Sequence, residues 1–274
     1  MRNRLLRWAI FAGTVLVGAS AFPLDTEPSK TKNEQHPLDP VLKLAQDGLK
    51  HLDAKVRDYV CIIVKRERVN GELGEMQFIA AKVRHEQKQN GQDVPFSVYL
   101  KFLQPKAVAG REVIWISGRN DNKLVAHETG LLNFKRAWLD PNGFLAMMGQ
   151  RYPISEIGMR NLIEELITKG ERQRQLPDCE VKIRDDAKID DHPCRLIQVV
   201  HPQKRPEYEF YKVHIFIDRE QNIPIRYACW TWPAKPGDDP VLEEEYTYTN
   251  VKLNVGLTDK DFDPDNSDYN FPAL

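Results

Sequence analysis

The feature that most limits the fold is alternation. In Pro95–Phe102, the apolar residues Phe96, Val98, Leu100 and Phe102 alternate with Ser97, Tyr99 and Lys101. Period two puts each set on one face of a β-strand, and the apolar face must be buried. Comparable segments recur. Asp58–Val69 is rich in β-branched and aromatic residues and ends at Asn70-Gly71, a strong hairpin signal. Met76–His85 reads as the return strand, followed by Arg111–Ser117, Lys123–Glu128 and Leu131–Trp138. After a helical interval come Cys179–Asp186, Cys194–His201, Glu209–Asp218, Ile223–Thr231 and Val241–Leu253. About ten strands with few helices make an antiparallel sheet, and a sheet of that size must curl, split or close.

Two helical stretches supply a cover for its apolar face. The first spans roughly 39–56, with Asp39 as the expected cap and Pro40 at the first helical position. Val41, Leu42, Ala45, Leu49, Leu52 and Val56 fall at helical spacing, so one side is buried. The second is a helical insert at about 142–172. It holds a short helix at Asn142–Gly149 and a longer one from about 156, with Ile157, Leu162, Ile163, Leu166 and Ile167 on its apolar face. Residues 38–271 are expected to form a single domain, mainly β, with helices covering a curled antiparallel sheet.

The beginning of the chain reads as an export signal. Arg2, Arg4 and Arg7 precede the apolar run Trp8–Val17, and Ala19-Ser20-Ala21 has the small-x-small form of a cleavage site. Residues 1–21 are the expected signal peptide, cleaved after Ala21; an uncleaved anchor is the alternative. Residues 22–37 are polar and Pro-containing, the composition of a disordered linker. The expected location is the periplasm or cell envelope.

Charge excludes one class of partner. The chain has 39 basic and 40 acidic residues, a net charge of −1. Without the three leading arginines the balance becomes −4. Nucleic acid is therefore not the expected partner, because phosphate binding needs clustered Lys and Arg.

The four cysteines are Cys61, Cys179, Cys194 and Cys229. In an oxidising compartment they allow two disulfides or four buried thiols. Cys61 and Cys229 are the candidate pair if their strands are neighbours. Cys179, His192, Cys194 and His201 lack the spacing of a zinc site. The alternating Asp259, Asp261, Asp263 and Asp265 suggest a calcium loop, but Pro264 stands where that loop needs Gly. An acidic turn with Phe262 packed into the barrel end is the better account. No G-x-S-x-G, P-loop, G-x-G-x-x-G or H-E-x-x-H motif is present, so no catalytic residue, metal or cofactor is assigned. His127-Glu128 reads as a polar pair near a loop. Glu243, Glu244 and Glu245 read as a solvated edge with one inward carboxylate, and Arg66, Glu67 and Arg68 as a cross-strand ion-pair face.

Three runs carry a family resemblance: Pro95–Ile116, Arg151–Gly158 and Asp186–Pro202. They resemble the bacterial domain of unknown function 1571 family, with similarity over most of 50–271. That family brings no assigned activity. More distantly the chain is similar to the outer-membrane lipoprotein carriers. The likeness lies in the helix before the first strand, the strand ending at Pro105, and Tyr246–Phe262. That resemblance implies a half-barrel closed by helices, with an apolar interior that takes acyl chains.

Aromatic residues crowd the strands. Either they fill a core or they line a cavity, since ligand pockets are concave and mostly apolar. The cavity candidates are Phe96, Val98, Leu100, Phe102, Val113, Trp115, Ile215, Ile217 and Tyr227. The function expected is non-catalytic binding or carriage of a lipid, lipoprotein acyl chain or other apolar ligand. A structural module with an envelope protein partner is the alternative, and a secreted hydrolase a third reading.

Overall fold

Burial along β1 (Asp58–Val69) alternates, with Cys61, Ile63, Lys65 and Glu67 facing one way. Asn70 and Gly71 both take positive φ, 52° and 84°, as a two-residue hairpin turn requires. The chain returns through β2 (Glu72–Leu73) and β3 (Gln77–Arg84), which both pair with β1. The computed structural model describes residues 35–130, 135–176 and 179–273. The expected signal segment and residues 22–34 of the expected linker lie outside the described residues, as do 131–134 of the strand expected at Leu131–Trp138.

The remaining strands follow in order: β4 (Gln87–Gln89), β5 (Gln92–Val94), β6 (Ser97–Gln104), β7 (Glu112–Ile116), β8 (Leu124–His127) and β9 (Ala137–Leu139). After the helical insert come β10 (Glu180–Ile189), β11 (His192–Val200), β12 (Lys212–Asp218), β13 (Ile223–Thr231) and β14 (Val241–Leu253). One antiparallel sheet runs β10-β11-β12-β13-β14-β1-β3-β6-β7-β8-β9, with β2 beside β1. It is the expected mainly β, curled antiparallel sheet. The pairing of β14 with β1 joins two meanders into one surface. A separate hairpin, β4 with β5, turns at Asn90 and Gly91, again both at positive φ.

The helices are α1 (Asp39–Lys55), α2 (Phe144–Met147) and α3 (Met159–Gln173). Asp39 does not cap α1. It sits inside the first turn, where its carboxylate accepts a hydrogen bond from the His36 N–H at 3.0 Å and pairs with Arg174 at 2.5 Å. The two long helices touch at Gly170, where an added Cβ would lie 2.7 Å from Leu42 Cδ2. A side chain there would hold them apart. At the start of α3, Gly158 has φ 124°, and the next N–H, of Met159, donates to the buried Tyr59 hydroxyl at 3.1 Å.

These helices cover one face in two regions. Leu52, Val56, Met159 and Ile163 pack on Cys61, Ile79, Val83, Val98, Leu100, Phe102 and Trp115. Leu38, Val41 and Leu42 pack on Ile197, Val199, Val213, Ile215 and Tyr227. The opposite face of β6–β8 is also covered. Tyr99, Ile114, Ile116 and Val125 lie beneath Phe262, Leu257, Tyr269 and Phe271 of the C-terminal segment. Phe262 therefore packs on the back of the sheet, not into its end. Asp259 and Asp261 pair there with Arg84 and Lys82, each at 2.8 Å.

Candidate functional site

Packing leaves two neighbouring cavities beneath the helices. The first, about 210 Å³, lies between α1, α3 and strands β11–β13. Its walls are Leu38, Val41 and Leu42 from α1, Ile163 and Leu166 from α3, and Val199, Val213, Ile215 and Tyr227 from the sheet. Lys169, Gln173 and Asp218 are among its few polar residues. The second, about 340 Å³, lies between α3 and strands β1, β13 and β14. Leu166, Lys169 and Tyr227 line both.

The second cavity is floored by a buried polar cluster that follows from strand register. Glu67 stands opposite Glu244, and Lys65 opposite Tyr246; on the far side of β14, Tyr227 faces Tyr246. Two carboxylates directly opposite would repel. Here they are held apart by donors. Glu67 accepts from Lys65 Nζ at 3.0 Å, the Arg151 N–H at 3.2 Å and the Tyr246 hydroxyl at 2.6 Å. Glu244 meets Arg151 Nε at 3.1 Å and accepts from the Tyr152 hydroxyl at 3.2 Å. The Tyr246 oxygen is also 3.2 Å from Glu244 Oε2. A hydroxyl has one proton, so this second contact becomes a hydrogen bond when Glu244 is itself protonated. Burial favours that form: it pushes the Glu244 carboxyl above its ordinary range, against the nearby Arg151.

That direction has a testable consequence. A carboxyl whose pKa is raised on folding adds stability that is full below its unfolded value and is lost as pH rises through the folded one. Glu244→Gln copies the protonated acid and does not titrate. The urea midpoint of the variant should therefore gain on that of the wild-type protein as pH is raised from about 4 to 8. A gap that is flat or closes over this range would contradict a raised Glu244.

The expected cavity residues separate into two groups. Ile215, Ile217 and Tyr227 line the first cavity. Phe96, Val98, Leu100, Phe102, Val113 and Trp115 line neither of these two cavities. Their part of the sheet is filled by Ile154, Met159 and the end of α1, and the Phe96 and Trp115 rings meet edge to face at 5.8 Å. Sequence reasoning passed over Lys65 as a site residue and left Glu67 on an ion-pair face. Extending the alternation of Cys61 and Ile63 by two more steps points both inward. The single inward carboxylate expected among Glu243–Glu245 is Glu244, the buried one.

The cysteine expectation needs correction. Cys61 is on β1 and Cys229 on β13, and β14 lies between them. Two strand spacings, about 9.6 Å, exceed the Cα separation a disulfide spans. All four cysteines are free thiols, and burial pushes Cys61 and Cys229 up to about 12. Protonated thiols of that kind are poor nucleophiles.

His127 ends β8, next to the loop as expected. It is buried, donates from Nδ1 to the Glu128 carbonyl at 2.8 Å, and has Nε2 3.8 Å from the buried Glu112. Asn270 and Phe271 of the C-terminal segment close over this pair. Among the described residues no cluster of His, Cys, Asp and Glu has the arrangement of a metal site. No helix among them is long and apolar enough to cross a membrane.

The family model described as "Protein of unknown function (DUF1571)" matches residues 56–271. The chain belongs to this family. The DUF1571 match takes in the fourteen strands of the described residues and both cavity-bearing regions of the sheet. No curated protein sequence matches the chain. Among solved structures, this DUF1571 protein is similar to MucB, at 12% identity and TM-score 0.45, covering 80% of this chain and 62% of that one. It is also similar to a putative outer-membrane lipoprotein-sorting domain from Vibrio parahaemolyticus, at 13% identity and TM-score 0.38, covering 81% and 95% of the two chains. A LolA superfamily protein from Nitrosomonas europaea matches at 11% identity and TM-score 0.31, over 80% and 97%. The fold of the DUF1571 chain is defined by its own strand order and register, and these distant likenesses place no ligand on it.

Proposed function

We propose that this is an exported cell-envelope protein that binds or carries a lipid, lipoprotein acyl chain or other apolar ligand without catalysis. One observation carries the reading: the helix-covered sheet keeps a mostly apolar cavity of about 210 Å³. With the adjoining 340 Å³, the space reaches the range of small-molecule sites, about 300–1,000 Å³.

The paired carboxylates do not favour a hydrolase. Glu67 and Glu244 are each held by protein donors on the cavity floor, and the non-catalytic reading takes them as structural. The protein-interaction reading has one feature of its own. Phe144, Leu145 and Met148 are exposed by 81%, 62% and 57%, and an apolar patch of that kind suits a partner.

Native mass spectrometry of protein purified from its own envelope tests the proposal. The expected spectrum shows a co-purified species of lipid mass, displaced by added acyl lipid. Protein that is ligand-free and binds no acyl compound tighter than about millimolar, a gain of only about 4 kcal/mol, would overturn it.

A further inference from the structure

The two cavities share a wall. Leu166 and Lys169 of α3 and Tyr227 of β13 line both, and among the described residues no other side chain does. Two of the three are tied down. The Tyr227 ring lies over that of Tyr246, with centroids 6.3 Å apart and planes at 26°, and its hydroxyl is 3.4 Å from Glu244 Oε1. Lys169 Nζ is 3.3 Å from Glu165 and 3.8 Å from Glu209. Leu166 is half-buried and is held by packing alone.

The first cavity has one polar end. Arg195, Asp218, Arg219 and Asn222 line it around the turn that follows β12, where Arg219 and Asn222 are exposed. These groups are engaged within the protein. Arg195 donates from Nε and Nη2 to the Asp185 carboxylate at 2.6 and 3.1 Å, and Arg219 Nη1 donates to the Asp185 carbonyl at 3.1 Å. Asp218 accepts from the Glu220 and Gln221 N–H groups at 2.8 and 3.0 Å. Such an end suits a polar head that stays in contact with water.

Away from that turn the wall is apolar. Ile217, Ile215 and Val213 follow one another along β12, each more buried than the last, over about 13 Å of strand. Across the shared wall, Ile63, Ile157, Leu162 and Tyr248 line the second cavity above its polar floor. An alkyl chain therefore has apolar surface available on both sides of Leu166.

We propose that Leu166 limits the length of chain this protein accepts. A straight alkyl chain lies along β12 with its polar end at the Arg219–Asn222 turn, and Leu166 bars it from the second cavity. This rests on the apolar-ligand reading above and names the residue that selects among such ligands. Leucine suits the role because shortening it removes only packing, whereas changing Tyr227 or Lys169 also breaks a polar contact.

Calorimetric titration of the purified protein with hexanol, octanol, decanol and dodecanol, each below its solubility limit, provides the test. Wild-type affinity should rise about fourfold per added CH₂ and then stop rising within the series. In Leu166→Ala the rise should continue at least one member further, with hexanol affinity little changed. Leu162→Trp places an indole in the second cavity. Alone it should leave the wild-type series as it was, and combined with Leu166→Ala it should restore the wild-type limit. Leu166→Val carries the same test if Leu166→Ala does not fold. An unchanged limit in the Leu166 variant overturns the partition and leaves the apolar-ligand reading standing. So does a wild-type series with no limit through dodecanol, or a longer limit that survives Leu162→Trp. Binding of none of the four alcohols overturns both.

Discussion

Phe102→Ala is expected to destabilise the protein by about 3–5 kcal/mol, the cost of removing a large side chain from a filled core. Phe102 is buried in the cluster of β1, β3, β6 and α3, and the Arg111 guanidinium lies 5.6 Å from its ring centre. It borders neither cavity, so its loss removes contacts on every side. Ile215→Ala gives the comparison. Ile215 is also buried but has the first cavity on one side. Fewer partner atoms are lost there, and its cost should fall at or below the lower end of the usual range, about 2 kcal/mol. Urea unfolding of both variants measures this directly. Near-equal costs would mean that the sheet face is packed alike at both ends.

Ile215→Trp is expected to reduce affinity for acyl ligands at least about 100-fold, or about 2.7 kcal/mol. The indole would occupy the space that the chain requires. Placed in a packed core, such a change costs about 1–3 kcal/mol through overpacking. Placed against a cavity of about 210 Å³, it should leave the unfolding midpoint near or above that of the wild type. The two readings separate cleanly. Lost binding with stability kept locates the ligand between α1 and β12. Kept binding with stability kept moves the ligand to the second cavity. Lost stability argues that the space is filled in solution.

Much of the sheet is legible from residue order, because period two and turn chemistry act locally. Asp58–Val69 was expected as a strand and is β1 to the residue; Ile223–Thr231 and Val241–Leu253 are β13 and β14 with the expected limits. The β4–β5 hairpin is missed although Asn90-Gly91 marks it, because its six strand residues are nearly all polar and offer no buried face. What the pattern does not contain is which part of a continuous apolar face stays unfilled. Val98 and Ile215 alternate equally well. Their difference comes from α3 packing its first turns over β1, β3 and β6, which depends on distant residues such as Tyr59 and Gly170. The Glu67–Glu244 pairing depends on the register between β1 and β14, which is also non-local. The back-face role of Phe262 has a related, non-local cause: Tyr99 belongs to the face opposite Phe96, Val98, Leu100 and Phe102, and the C-terminal segment buries it.

The two margins of the sheet bear on self-association. β10 pairs on one side only, and Glu180, Lys182, Arg184, Asp185, Asp186 and Lys188 give it six charges in ten residues. At the other margin β9 has three residues. A free strand edge is a template on which a second chain can add, and charge or shortness removes that template. A cavity beneath covering helices needs a large sheet with an apolar side. Such a sheet would ordinarily invite stacking edge to edge into fibres. With a charged strand at one margin and a stub at the other, neither margin offers a neighbouring copy a long apolar row of unpaired N–H and C=O groups.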